Sequence, residues 1–456
     1  MARDQVDLTP IERRDELVAW LAQGVRPKAQ FRIGTEHEKF LFTRQGHRPV
    51  PYDGPRGIRA VLEGMQRVLG WQPIMEGAYL IGLFDEGGGG AITLEPAGQF
   101  ELSGAQVDSV HHTASELAAH LEQVRAVAEP LQLGVLGVGM TPDWRRADMP
   151  MMPKGRYKIM TAYMPKVGTL GLDMMYRTCT VQTNLDFASE ADMVKKLRVS
   201  LALQPVATAL FANSPFTDGK PNGFLSFRSE IWRNTDNARA GMLHWAFEPG
   251  MGFERWVDYA LDVPMYFIKR GDAYIDVAGK SFRDFLAGKL RGVADGGVAL
   301  SDWANHLSSI FPEVRLKRYL EMRGADAGPL PHLVALPALW VGLLYDDAVL
   351  DAAWDLVKDW SAAERQQLRD EVPKLGLAAK IRGRSVAELA ADLLKLCRAG
   401  LARRNRLDPS GRDESRYLDV LDARLACGTT AAEDLLDKYY GPWNGSVAPI
   451  YSDQAY

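Results

Sequence analysis

The chain has 456 residues, of which 46% are hydrophobic and 25% charged, with a formal net charge of -4 at pH 7. That length supports a large core, in two or three domains or in one elaborate α/β unit, and without a basic excess there is no footing for a nucleic-acid partner. The three cysteines, Cys179, Cys397 and Cys427, make no disulfide framework, and the stretch MARDQVDLTPIERRDE has no apolar segment of a secretory signal, so a cytoplasmic setting is expected.

Thr9-Pro10-Ile11-Glu12 reads as a helix start, with Thr9 and Glu12 as a capping box and Leu17, Trp20 and Leu21 on one face. Residues 30–43 read as a strand whose alternation puts Glu36, Glu38 and Phe40 on one side. Apolar positions 58, 61, 62, 65, 68 and 69 predict a helix. The run Gly87–Gly90 lacks the spacing of a phosphate-binding loop and reads as the turn between strands at 79–84 and 91–94. A long helix is expected over 109–131 and a strand over 134–139, followed by a charged loop with Lys154, Arg156, Tyr157 and Lys158. Residues 174–187 alternate as a strand, with Thr178, Thr180, Gln182 and Asn184 on one side and Cys179, Val181, Thr183 and Leu185 on the other. Ser189 caps the next helix. Residues 227–241 read as polar, arginine-rich and irregular. Residues 314–323 read as one strand with Glu321 and Arg323 on a common face. From about 332 to 440 the pattern is helical. The apolar run LVALPALWVGLLY is too short to span a bilayer and reads as a buried helix, so no membrane partner is expected.

Five glutamates, Glu36, Glu38, Glu95, Glu101 and Glu321, are embedded in apolar or glycine-rich sequence. A pair of glutamates on a strand is ordinarily a solvated face, but burying carboxylates unpaired is costly. Oxygen-ligated Mg²⁺ would neutralise them. Arg156, Lys158, Arg177, Arg228, Arg233 and Arg323 lie among aromatics and glycines, where guanidinium groups suit carboxylate or phosphate. Carboxylates for metal with arginines for anions is the constellation of phosphoryl transfer to an acidic substrate.

The segments FRIGTEHEKF, TLEPAGQFELSG, MYRTCTVQTNLDF, FRSEIWRNTDNARAG and YLEMRGAD, in this order, resemble the plant/proteobacterial type of glutamate–cysteine ligase over about residues 10 to 450. The resemblance implies an α/β (α+β) fold like that of glutamine synthetase, with a curved, largely antiparallel sheet surrounded by helices. It implies a single ligase domain over 1–456 whose part from about 332 is mostly helical. It implies ATP-dependent ligation of the L-glutamate γ-carboxylate to the L-cysteine amine through a γ-glutamyl phosphate, the first step of glutathione biosynthesis. ATP is the co-substrate and Mg²⁺ the metal, with Mn²⁺ as the alternative. By the same resemblance Glu36, Glu38, Glu95, Glu101, Gln182 and Glu321 are assigned to the metal, and Glu38, Glu321 and Arg323 to catalysis. Lys154, Arg156, Lys158, Asn184, Arg228, Trp232, Arg233 and Arg323 are assigned to substrate or nucleotide. A monomer or homodimer, and a regulatory disulfide, stay open. The competing readings are a ligase with another amine acceptor and a non-catalytic regulatory protein; retention of all five glutamates argues against the second.

Overall fold

The structure, a computed structural model, describes residues 7–290 and 297–456. Strand β1 (Pro10–Ile11) pairs antiparallel with Val298–Ala299. This takes up the backbone where a helix start was expected. Helix α1 (Arg14–Ala22) begins later, where the Glu16 carboxylate accepts from the amides of Glu12 and Arg13, and it buries Leu17 and Leu21.

Strand β2 (Ile33–Thr43) is the long central strand. Helix α2 (Ile58–Leu69) forms as its periodicity predicts and ends at Gly70, whose φ of 69° needs no Cβ. Strands β3 (Gln72–Glu76), β4 (Tyr79–Phe84), β5 (Ala91–Leu94) and β6 (Phe100–Ser103) follow as consecutive antiparallel hairpins. Helix α3 (Val110–Ala128) is capped by the Ser109 hydroxyl, which accepts from the His112 amide. Strand β7 (Leu133–Leu136) pairs with the distal half of β2.

The next stretch departs from expectation twice. Residues 155–163 form helix α4 (Gly155–Tyr163), not a loop. The expected strand over 174–187 is split, because Met174–Arg177 completes helix α5 (Gly171–Arg177) and only β8 (Thr180–Leu185) is extended. Helix α6 (Glu190–Leu210) is capped by Ser189, as expected. The segment read as irregular holds helix α7 (Phe227–Arg233), capped by Ser226. Residues 314–326 form a hairpin of two strands, Val314–Leu316 and Leu320–Asp326, not a single strand. The turn between them closes through the Lys317 amide on the Tyr319 carbonyl at 2.9 Å. It contains neither glycine nor proline, the residues that ordinarily announce a turn.

The main sheet runs in the order 314–316, 320–326, β8, β2, β6, β5, β4, β3, every pair antiparallel, with β7 on the distal half of β2. The antiparallel sheet among helices is the expected architecture. One apolar cluster extends from Ile11 through the sheet to Leu421 in the C-terminal helices. Helix Leu330–Leu344 lies within it and is buried along nearly its whole length. Among the described residues no single helix is long and apolar enough to cross a membrane. Cys179 and Cys397 are buried, Cys427 is exposed, and all three are free thiols.

Candidate active site

Register brings the acidic residues together. In antiparallel pairs, facing residues point to the same side of the sheet. Glu38 on β2 faces Glu101 on β6, and Glu36 faces Gln182 on β8. Glu95 begins the β5–β6 turn, which closes through the Gly98 amide on the Glu95 carbonyl at 2.9 Å and needs Gly98 at φ +86°. These four glutamates line one cleft of about 910 Å³ together with Lys154, Arg156, Gln182, Arg228, Trp232, Arg315, Lys317 and Arg323.

The carboxylates crowd one another in a poorly solvated place. Burial, then Glu95 and Glu101 nearby, push the Glu38 carboxyl well above the usual carboxylate range. Burial, then Glu95 and Glu36, push Glu101 up to about 7. Glu95 is also raised by burial, against the pull of Lys154 and Arg156. Some oxygens are held: Glu38 accepts from the Thr180 amide at 3.0 Å, Glu101 from the Thr93 hydroxyl at 2.5 Å, and Glu36 from the Asn184 amide group at 3.0 Å.

The opposite wall is cationic. Glu321 is fully buried and surrounded by Arg315 at 2.6 Å, Arg323 at 2.8 Å and Lys317 at 3.3 Å. Burial alone would raise its pKa, but these three cations hold it well below the usual range. Three positive groups against one negative leave this wall with two excess charges directed at the cleft. Arg228, on α7, is buried; one terminal nitrogen donates to the Arg323 carbonyl at 3.1 Å, while Nε and Nη1 have no acceptor among the described residues. The indole N–H of Trp232, one turn further along α7, also lacks an acceptor among the described residues.

The structure thus gathers Glu36, Glu38, Glu95, Glu101, Lys154, Arg156, Gln182, Arg228, Trp232 and Arg323 around one space, and leaves the other predicted residues outside it. Lys158 is exposed on α4, whereas Lys154, at the start of that helix, is buried. Arg233 is taken up by Glu230 at 2.7 Å and Asp370 at 2.9 Å. Asn184 lines a second cavity of about 950 Å³, beyond Glu36, with Arg26, Arg32, Phe84, Gly89, Gly90 and Tyr319. Glu321 stands behind its three cations, and the Gln182 side-chain oxygen accepts from Arg323 at 2.6 Å. In this structure those two therefore support the cationic wall, where a metal role was expected. Sequence reading missed Arg315 and Lys317, because a single strand over 314–323 spaces them along the chain from Glu321, whereas the turn folds Arg315 directly opposite it. It also missed Gln99, which is buried and fixes the end of α5 by donating to the carbonyls of Met175 and Thr178, both at 3.1 Å.

Among the described residues no three acidic, histidine or cysteine side chains converge at one point fit for a metal ion. The donor chemistry nevertheless fits Mg²⁺, a hard cation that keeps several waters and is held by one or two carboxylates plus substrate phosphate, with no closed protein cage.

Residues 32–453 match the family described as glutamate-cysteine ligase family 2. The chain is 55% identical over 443 residues to the chloroplastic glutamate–cysteine ligase of Arabidopsis thaliana, covering 97% of this chain and 83% of that protein. It is 52% identical over 453 residues to the chloroplastic glutamate–cysteine ligase B of Oryza sativa subsp. japonica, covering 99% and 89%. A crystal structure of the Francisella tularensis glutamate–cysteine ligase in complex with AMP shares the fold, with a TM-score of 0.57 and 13% identity over 93% of this chain and 87% of that one. The expected cytoplasmic setting is overturned by these matches, whose plant relatives are chloroplastic enzymes.

Proposed function

The chain belongs to glutamate-cysteine ligase family 2, and on that premise we propose how its cleft joins the L-glutamate γ-carboxylate to the L-cysteine amine at the expense of ATP. The observation that carries the reading is a wall of four glutamates facing a wall with two excess positive charges across one cleft.

A carboxylate is a poor acyl donor because its leaving group would be oxide. Transfer of the terminal ATP phosphoryl group to a γ-carboxylate oxygen forms γ-glutamyl phosphate and releases ADP. The cysteine amine then attacks the acyl carbon, the carbon–oxygen bond to phosphate breaks, and the amine gives up a proton as the amide forms. In the first step two anions must approach each other. Arg323, Arg315 and Lys317 offset that repulsion and stabilise the transferred charge. The unpartnered Nη1 of Arg228 suits a substrate carboxylate, to which a guanidinium N–H donates a charge-assisted hydrogen bond. One or two at a time of Glu36, Glu38, Glu95 and Glu101 would hold Mg²⁺, which when bound supplies charge neutralisation along the phosphates.

The second cavity meets the first at Glu36. We place the nucleotide there, against Arg26, Arg32 and the glycine-rich β4–β5 turn, and the amino acids in the first. ATP and glutamate would then approach Glu36 from opposite sides, an arrangement that aligns donor and acceptor for in-line transfer. Mass analysis of product from purified protein with Mg²⁺, ATP, glutamate and a panel of amines tests the reading. γ-Glutamylcysteine as the preferred product is expected. Preference for another amine would change the acceptor, and absence of any ATP-dependent amide would overturn the proposal.

A further inference from the structure

The two walls of the cleft stand on strands that do not touch. Strand β2 carries Glu36 and Glu38, the 320–326 strand carries Glu321 and Arg323, and β8 lies between them. On the reverse face of the sheet one side chain reaches both. The Tyr456 hydroxyl donates to the Gly328 carbonyl at 2.5 Å, two residues past the 320–326 strand, and lies 3.0 Å from Nε2 of His37. A phenol has one proton to give. With that proton directed at Gly328, the Tyr456 oxygen accepts from His37 Nε2–H, and Nδ1 is left without a partner among the described residues.

His37 is completely buried and sits between Glu36 and Glu38, pointing away from the cleft as strand alternation requires. Tyr456 is itself held in place. Its amide donates to the Val135 carbonyl, and the Gly137 amide donates to the Gln454 carbonyl, both at 3.0 Å. A Cβ on Gly137 would stand 2.3 Å from the Tyr456 ring, so the glycine admits the close approach.

We propose that Tyr456 and His37 are positioning residues: a clasp behind the sheet that fixes the separation of the carboxylate-bearing strand from the cation-bearing strand. The proposal rests on the ligase reading of the cleft. Phosphoryl transfer between groups held on the two strands is sensitive to displacements of about 1 Å, which cost on the order of a hundredfold in rate. Loosening the clasp therefore acts on turnover more than on substrate binding.

The test is Tyr456→Phe in the full chain, which keeps the ring and removes the hydroxyl. Expected are a kcat about tenfold lower, KM values for glutamate, cysteine and ATP within about twofold, and a Tm within about 2 °C of the parent. His37→Leu should show the same loss, and the double variant should be no worse than either single. His37→Gln, whose side-chain amide can still donate to the Tyr456 oxygen, should recover most of the kcat. A readout independent of activity is amide hydrogen exchange, which Tyr456→Phe should accelerate at residues 36–38 and 321–328 and leave unchanged in β4 and β5. Unchanged exchange at those residues overturns the clasp whatever the activity. So does a kcat that stays at the parent value or falls only in step with Tm. Failure of the parent protein to form any ATP-dependent product would instead overturn the ligase reading.

Discussion

Glu101 carries a cost that shows in stability as well as in chemistry. Its carboxyl is raised from 4.5 to about 7, chiefly by burial and then by Glu95 and Glu36. Between those values the folded protein retains a proton that the unfolded chain has lost, so stability falls as pH rises through this window and stays lost above about 7. Glu101→Gln should therefore raise the Tm of chelator-treated protein by about 2 °C or more at pH 8 and by nothing near pH 4.5, while reducing turnover at least a hundredfold. Calorimetry across that range checks it, and a difference independent of pH would contradict the assignment. Glu38→Gln should lower kcat at least a hundredfold in protein that remains folded. Near-parent activity would remove Glu38 from the site. Arg323 bonds Gln182 and Glu321 through one nitrogen of its planar fork, and lysine lacks that fork. Arg323→Lys should lower kcat tenfold or more with little change in Tm, as steady-state kinetics and thermal melts together would show. Much of this was legible in the sequence. Period-two alternation suffices to put Glu36 with Glu38 and Thr180 with Gln182. Alternation does not report cross-strand partners, so the placement of Glu321 behind three cations could not be read, and the capture of Arg233 by Asp370 is a contact between two helices that no local pattern reports.

At the scale of elements, the site depends on short turns that hold side chains at strand ends. Glu95 reaches the cleft because the β5–β6 hairpin turns over Pro96, Ala97 and Gly98. Gly98 has φ +86°, and a Cβ there would lie 3.2 Å from both Ile58 Cγ1 and Met152 Cε. Gly98→Ala should cost about 1–2 kcal/mol from the backbone alone and should also lower kcat by moving Glu95. Urea unfolding with parallel kinetics tests both effects, and a variant as stable and active as the parent would show that the turn tolerates change. On the other side, Asp326 accepts from the Ser214 hydroxyl at 2.6 Å and the Ser226 hydroxyl at 3.0 Å, which ties the end of the 320–326 strand to the start of α7, the helix that carries Arg228 and Trp232. Elements with strong periodicity or a clear cap, such as α2, α3 and α6, were readable from sequence because their boundaries are set locally. Helices α4, α5 and α7 were not. Each is at most nine residues long, and α4 and α5 have no side-chain hydrogen bond at the N-cap. Elements so short take much of their stability from tertiary packing, which no local signal reports.

At the scale of the molecule, the catalytic sheet and the C-terminal helices share one apolar cluster, and the contact between them is close enough to bear on function. Helix 330–344 packs beneath β8 and against helix 386–404. The Tyr345 hydroxyl, just past the end of helix 330–344, donates to the Arg32 carbonyl and accepts from the Asp186 amide, where β2 begins beside the end of β8. The two C-terminal helices meet at paired glycines. A Cβ on Gly400 would stand 2.1 Å from the Gly342 carbonyl oxygen, and one on Gly342 would stand 2.7 Å from the Cys397 carbonyl oxygen. These neighbours are backbone atoms and cannot rotate away, so a single methyl group must push the helices apart. Overpacking of this kind costs about 1–3 kcal/mol. Because helix 330–344 backs β8 directly, that displacement reaches Thr180 and Gln182 at the floor of the cleft. Gly400→Ala should therefore lower both Tm and kcat, though the substitution is remote in sequence from every residue of the site. If residues 332–456 and the sheet form one cooperative unit, calorimetry of the variant will show a single transition, with activity lost over the same temperatures. An early, separate transition that leaves activity intact would mean that the C-terminal helices melt independently, and the shared core would then carry no coupling to the site.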